Sequence, residues 1–193
     1  ILTSWVDNDV RVWNQAEQKV KWRSSGLAAP VSAVRYEGLI AVAEHGKSRV
    51  ISLNKDGEVE AILAEDLPAP TGLTVRDGHL FVSDRSLGKI LRIAENGQRI
   101  TEPEIVAENL VSPEGFDFFD RKLVVIEADL GEVSMINASG DKSLLAKIPP
   151  GTQAASDLQP PSQVFNGVVV DDNGNVYVPG ETNRALYKIS NPF

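Results

Sequence analysis

The chain contains no cysteine, which excludes a disulfide scaffold, a thiolate nucleophile and a sulfur-ligated metal, and leaves the redox compartment open. It has only two histidines, His45 and His79. Basic residues are scarce beside acidic ones: 19 Lys and Arg stand against 27 Asp and Glu, giving a net charge of −8 and a pI near 4.8. No basic stripe is available to displace counterions, so a nucleic-acid partner is excluded, whereas a cationic, neutral or metal-bridged ligand is easier to accommodate. No run of about 18 apolar residues exists, so no transmembrane helix is encoded. No signal peptide is visible, although the chain opens at Ile1 without methionine; the compartment is left open, a secreted or periplasmic one being slightly favoured. No window shows a capped helical period, so almost no helix is predicted.

What the chain does have is a recurring frame. Leu27-Ala-Ala-Pro30, Leu67-Pro-Ala-Pro70 and Leu110-Val-Ser-Pro113 each introduce the same series of short apolar strands, and a fourth copy enters through Phe165-Asn166-Gly167. The copies are spaced by 40, 43 and 52 residues, the range that one propeller blade occupies. In one copy the strands read Leu73-Thr-Val75, Leu80-Phe-Val82 and Ile90-Leu-Arg-Ile93; in the next, Phe116-Asp-Phe118, Leu123-Val-Val125 and Val133-Ser-Met-Ile136. A fourth strand follows, as in Ala61-Ile-Leu-Ala64 and Glu104-Ile-Val-Ala107. Two-residue alternation broken by Asp-Gly, Asn-Gly and Ser-Gly is a hairpin signature.

The frame predicts one all-β domain over residues 1–193, a propeller of four-stranded antiparallel blades. Blades are expected at about 1–30 (partial), 31–70, 71–113, 114–165 and 166–193 (partial). Ile1-Leu-Thr-Ser4 aligns with Phe81-Val-Ser-Asp84, so the first copy opens on a second strand, and the last copy supplies three strands. About 18 strands result, three full blades and two partial ones. An open stack leaves apolar faces uncovered, so the remaining strands are expected from the rest of a longer chain or from another chain.

Two stretches carry a family likeness. Pro70-Thr-Gly-Leu-Thr-Val-Arg-Asp-Gly-His-Leu-Phe-Val-Ser-Asp84 and Phe165-Asn-Gly-Val-Val-Val-Asp-Asp-Asn-Gly-Asn-Val-Tyr-Val178 resemble blades of the NHL-repeat propellers and of the gluconolactonase-like (SMP-30-type) superfamily. The resemblance covers nearly the whole chain as a repeat pattern and implies a six-bladed ring. Fold alone does not license function.

Blade topology then says which residues meet. The start of the first strand and the end of the second lie at one rim, positions +1 and +14 from the frame proline. Position +1 is Val31, Thr71, Glu114 and Asn166; position +14 is Glu44, Asp84 and Glu127, with Ser4 and Gly180 as equivalents in the partial blades. Carboxylates gathered at one channel mouth call for a cation or a basic partner among them. Oxygen donors without cysteine suit calcium or magnesium. In the gluconolactonase-like family a glutamate and an Asn-Gly asparagine hold such a divalent ion. The resemblance therefore implies Glu114 and Asn166 as ligands of a divalent cation, calcium foremost, and a small lactone or ester as substrate. Glu127 and Asp84 are the candidate bases for water. Val31 and Thr71 depart from the family, which often has another polar ligand there.

Other readings stand beside this one. Asp84 and Glu44 also suit a structural role, because an acid ending a second strand accepts hydrogen bonds from turn amides. A non-enzymatic NHL-type propeller, binding a peptide, glycan or protein across the same rim, is the alternative to a hydrolase. A propeller lyase using His45, which follows Glu44 at the rim, is a third reading, although no second histidine accompanies it. Ser4, Ser83 and Ser86 lack a G-x-S-x-G elbow. Residues 148–163, IPPGTQAASDLQPPSQ, form a long connection on the rim side that suits either a lid or an idle loop. Trp5, Trp13 and Trp22 suit either core packing or a stacking wall.

Overall fold

The computed structural model describes residues 1–148, 167–180 and 185–193. It is an all-β propeller of five blades, each a sheet of three or four antiparallel strands. Among the described residues the only helical segment is a single 3-10 turn, His45–Lys47. The chain divides into two compact units, Ile1–Val106 and Ala107–Phe193.

The first unit holds three blades. β1 (Leu2–Ser4), β2 (Asp9–Asn14) and β3 (Lys19–Ser25) form the first. β4 (Pro30–Tyr36), β5 (Leu39–Glu44), β6 (Arg49–Leu53) and β7 (Val59–Ala64) form the second, and β8 (Pro70–Arg76), β9 (His79–Asp84), β10 (Lys89–Glu95) and β11 (Gln98–Ala107) the third. The second unit holds β12 (Pro113–Phe119), β13 (Lys122–Glu127), β14 (Glu132–Ile136) and β15 (Lys142–Lys147), then β16 (Val169–Val170), β17 (Val176–Gly180) and β18 (Ala185–Ile189). Five blades are present, where the family resemblance leads one to expect part of a six-bladed ring.

Each frame proline is the first residue of its strand, where its missing N–H breaks no ladder bond. The Glu37-Gly38 and Asp77-Gly78 turns have positive φ at both residues, 47° and 80° in one and 49° and 76° in the other. That is the primed turn whose twist matches the flanking strands. The β5 run Leu39-Ile-Ala-Val-Ala-Glu44 looks uniformly apolar because both its faces are covered. Ile40 and Val42 pack toward the first blade with Val10, Ile51 and Leu53. Ala41 and Ala43 pack toward the third with Val50, Leu63, Leu80 and Val82. Alternation of side chains across a strand produces this division. In the second unit Val124, Ile126 and Val133 meet Val168, Val176 and Val178 in the same way.

Polar links cross between blades as well. The Tyr36 hydroxyl donates to the Gly78 carbonyl at 3.2 Å and accepts from the Gly97 amide at 3.0 Å. Burial of this phenol raises its pKa. The Leu73 amide donates to Ser32 Oγ at 3.2 Å. β11 is longer than the Glu104–Ala107 strand that the sequence predicts. The Asn96-Gly97 turn, with φ of 46° and 81°, returns the chain directly onto β10, and the polar start of β11 is exposed. Pro103 is tolerated because β11 is the outermost strand of its blade.

Asp171 organises the turn before β17. Its carboxylate accepts from the Asn175 side chain at 2.8 Å, from the amides of Asn175 and Asn173 at 2.8 and 3.0 Å, and from the Tyr177 hydroxyl at 3.1 Å. These bonds, those from Asn175 foremost, hold its pKa below the ordinary aspartate value. A depressed folded-state pKa stabilises the fold above the unfolded-state value, and that contribution fades as pH falls through the folded one. The stability gap between the wild type and Asp171→Asn, measured by urea unfolding, is therefore expected to be full at pH 7 and to close below about pH 4.

Candidate functional site

The frame works as a ruler within each full blade. Pro30 faces Glu44, Pro70 faces Asp84 and Pro113 faces Glu127 as cross-strand partners. Immediately after each proline the ladder slips, between Pro30 and Ser32, Pro70 and Leu73, and Pro113 and Phe116. The +1 residues Val31, Thr71 and Glu114 therefore sit in irregular, bulge-like steps. Bulges re-aim side chains and recur beside active sites.

The three +14 acids are buried, and each fastens its blade's entry loop to the second strand. Glu44 accepts the Ala28 amide at 2.8 Å on Oε1, and Arg49 Nε at 2.6 Å on Oε2. Asp84 accepts the amides of Ala69 at 3.0 Å and Leu87 at 2.9 Å. Glu127 accepts the Val111 amide at 3.0 Å, Ser134 Oγ at 3.0 Å, and Lys142 Nζ at 3.1 and 3.0 Å on its two oxygens. The two glutamates reach the residue two before the proline, and the shorter aspartate reaches the residue one before it. One methylene decides which amide is held. In the first blade the +14 equivalent is Ser4, and the acid lies opposite it: Asp9, the cross-strand partner of Ser4, is buried. Burial opposes the charge of Asp9, but bonds from Arg11 and Arg23 override it and hold the pKa below the ordinary value.

Glu114 is buried on β12, next to the proline that faces Glu127. Gly115 lies against the last blade. A Cβ at this position would lie 2.5 Å from both the Gly167 carbonyl carbon and the Val168 amide nitrogen, and closer still to Gly167 Cα. Only glycine allows this approach, since real Cβ atoms essentially never come within 3.0 Å of another heavy atom. The two family-pattern dipeptides, Glu114-Gly115 and Asn166-Gly167, thus meet at their glycines. Asn166 itself lies outside the described residues, as does the 148–163 connection beyond Ile148.

Among the described residues no group of three or more His, Cys, Asp or Glu is placed to hold a metal. Glu114 itself brings a carboxylate, an oxygen donor of the kind hard cations take. The space that a Cβ would fill between Gly115 and Gly167 lets the strand bearing Glu114 approach the backbone next to Asn166.

His45 is exposed in the 3-10 turn after Glu44, and its amide donates to the Ala29 carbonyl at 3.2 Å. His79 meets Glu95 through Nε2 at 3.2 Å at the hairpin end of its blade. Trp22 joins the core between the first two blades and donates to the Lys55 carbonyl at 2.8 Å, whereas Trp5 and Trp13 are exposed. The partners of the acids, Arg49, Ser134 and Lys142, are not marked by the repeat frame. Register could have shown the first, because Arg49 is the cross-strand partner of Glu44. Asp117 carries a signal as well, an acid between the phenylalanines of β12.

No family model and no curated protein matches the chain. Solved structures do. A gluconolactonase from Xanthomonas campestris superposes with a TM-score of 0.76 at 17% identity over 98% of this chain and 68% of the other. A luciferin-regenerating enzyme gives 0.72 at 14% over 98% and 67%. A streptogramin B lyase gives 0.63 at 15% over 95%, and this chain spans 62% of its length. At these identities the likeness establishes the propeller fold. No helix among the described residues is long and apolar enough to cross a membrane.

Proposed function

We propose that the chain belongs to a divalent-metal-dependent hydrolase of a lactone or similar small ester, its five blades part of a six-bladed ring. The observation that supports this reading is the close approach of Gly115 on β12 to Gly167 before β16, the second residues of the two dipeptides that match the family's ligand pattern. Glu114 and Asn166 would hold the ion, calcium foremost, and a divalent cation held there would supply Lewis-acid polarisation of the ester carbonyl. A carboxylate takes the proton of the attacking water, and the departing alkoxide takes it back as the C–O bond breaks. Glu127 and Asp84 are the candidate bases. Of the two, Glu127 faces the proline next to Glu114 on the same blade. Both carboxylates are already engaged by loop amides, so proton transfer must compete with those bonds.

The same engagement favours a second reading, in which the acids serve the scaffold and the rim binds a peptide or glycan without chemistry. Calcium separates the two. At about a hundred times its Kd, a bound ion adds about 2.7 kcal/mol, a rise in Tm of several degrees for a chain of this size. The hydrolase reading expects that rise, lactone hydrolysis that depends on the ion, and loss of both in Glu114→Gln. An unchanged Tm with no hydrolysis overturns it and leaves the binding module.

A further inference from the structure

Asp117 lies three residues after Glu114 on β12. Its Oδ2 accepts the Val170 amide of β16 at 2.9 Å, while Oδ1 accepts the Phe118 amide at 2.8 Å. β12 and β16 belong to different sheets and share no ladder. The amide of an innermost strand that faces the neighbouring blade therefore takes a side chain as its acceptor. Unit 1 solves the same problem with a neutral group, the Leu73 amide donating to Ser32 Oγ. In unit 2 the acceptor is a carboxylate, and a charge-assisted bond is shorter and about twice as strong. Beside the apolar packing of Val168 and Val170, two polar or backbone contacts join β12 to the last blade: the glycine approach at Gly115 and Gly167, and the carboxylate bond at Asp117 and Val170.

We propose that Asp117 is a positioning residue, which sets the distance between the strand bearing Glu114 and the start of the last blade, and through it the affinity of the site for a divalent cation. This rests on the hydrolase reading above for the identity of the ligand, but the clamp itself exists without any ion. The glycine contact limits how closely the strands approach and cannot resist their separation. The apolar packing of Val168 and Val170 and the Asp117 bond supply the resistance, and of these the bond is the directional one. An asparagine at this position can still accept the Val170 amide through its carbonyl oxygen, whereas alanine cannot.

The experiment uses the full chain, with Asp117→Ala, Asp117→Asn and Glu114→Gln beside the wild type. Hydrogen exchange of the Val170 amide is followed without metal, and calcium affinity by titration. Loss of a charge-assisted bond is expected to speed Val170 exchange about tenfold or more in Asp117→Ala, and to weaken calcium binding by a similar factor. Asp117→Asn is expected to stay within about threefold of the wild type in both, because the acceptor is kept. Glu114→Gln is expected to lose calcium while leaving Val170 exchange unchanged. Unaltered Val170 exchange in Asp117→Ala overturns the clamp. Faster exchange with unaltered calcium affinity overturns its role toward the site. Faster exchange in a protein whose wild type binds no calcium upholds the clamp and removes the hydrolase reading instead.

Discussion

Replacing Gly115 with alanine is expected to lower the stability of the chain by about 3 kcal/mol or more, at the upper end of overpacking costs. The added methyl carbon would lie 2.5 Å from two backbone atoms, the Gly167 carbonyl carbon and the Val168 amide nitrogen. A flexible side-chain tip could swing aside; backbone cannot, so β16 must leave β12. The Asp117 bond to Val170 goes with it. The neighbouring substitution, Gly167→Ala, is the control. No described atom lies within 4 Å of a Cβ at that position, so its cost is expected to stay within about 0.5 kcal/mol, the scale of changes that meet no neighbour. Urea midpoints of the two variants decide the matter. Equal destabilisation would mean that the strands are not in contact at Gly115.

Glu127→Ala is expected to cost about 2 to 3 kcal/mol. The residue is fully buried and serves three donors. Truncation strands the Val111 amide and the Ser134 hydroxyl, each at about 1 kcal/mol or more, and leaves a void where the side chain was. Lys142 adds less, because its side chain is 41% exposed and water replaces its partner. Glu127→Gln keeps the volume and one carbonyl oxygen for Val111, so about half that loss is expected. This conservative variant also separates the fastening of the loop from the base role proposed for Glu127. If the carboxylate only fastens the loop, hydrolysis by Glu127→Gln follows its modest loss of folded protein. If it also takes a proton from water, activity falls by about 100-fold or more in protein that remains folded.

Strand order and, within each full blade, the meeting of the frame proline with its acid were legible in the chain because a repeat repeats its physics. The frame proline can only open a strand, and the acid fourteen residues later can only lie opposite it once a two-residue turn joins the strands. The three-stranded first sheet follows from the alignment of Ser4 with Asp84, which the registers Ser4 to Asp9 and Asp84 to Lys89 reproduce. What could not be read was the set of partners. Whether Glu127 bonds to Ser134 and Lys142 depends on side-chain reach across two further strands, to which no spacing within the frame refers. The length of β11 escaped for a related reason. An exposed outer strand needs no apolar pattern, so its polar first half carries no signal. Asp117 is the instructive case. It breaks the apolar run Gly115-Phe-Asp-Phe-Phe119, and an acid among buried and half-buried aromatics points to a fixed donor nearby.

The fasteners have a consequence for how the chain acquires its structure. Glu44 holds an amide 16 residues earlier, Asp84 one 15 residues earlier, and Glu127 one 16 residues earlier. Each closes a short loop, whose entropy cost is small and nearly the same from blade to blade. A nascent chain can therefore latch each blade soon after its second strand emerges, before the neighbour that will cover its face has been made. Assembly of this kind proceeds in steps along the polypeptide, with nearest-neighbour coupling and low contact order. The unequal spacing of the frames is then harmless to folding, because extra residues between blades lengthen a connection without stretching any latch.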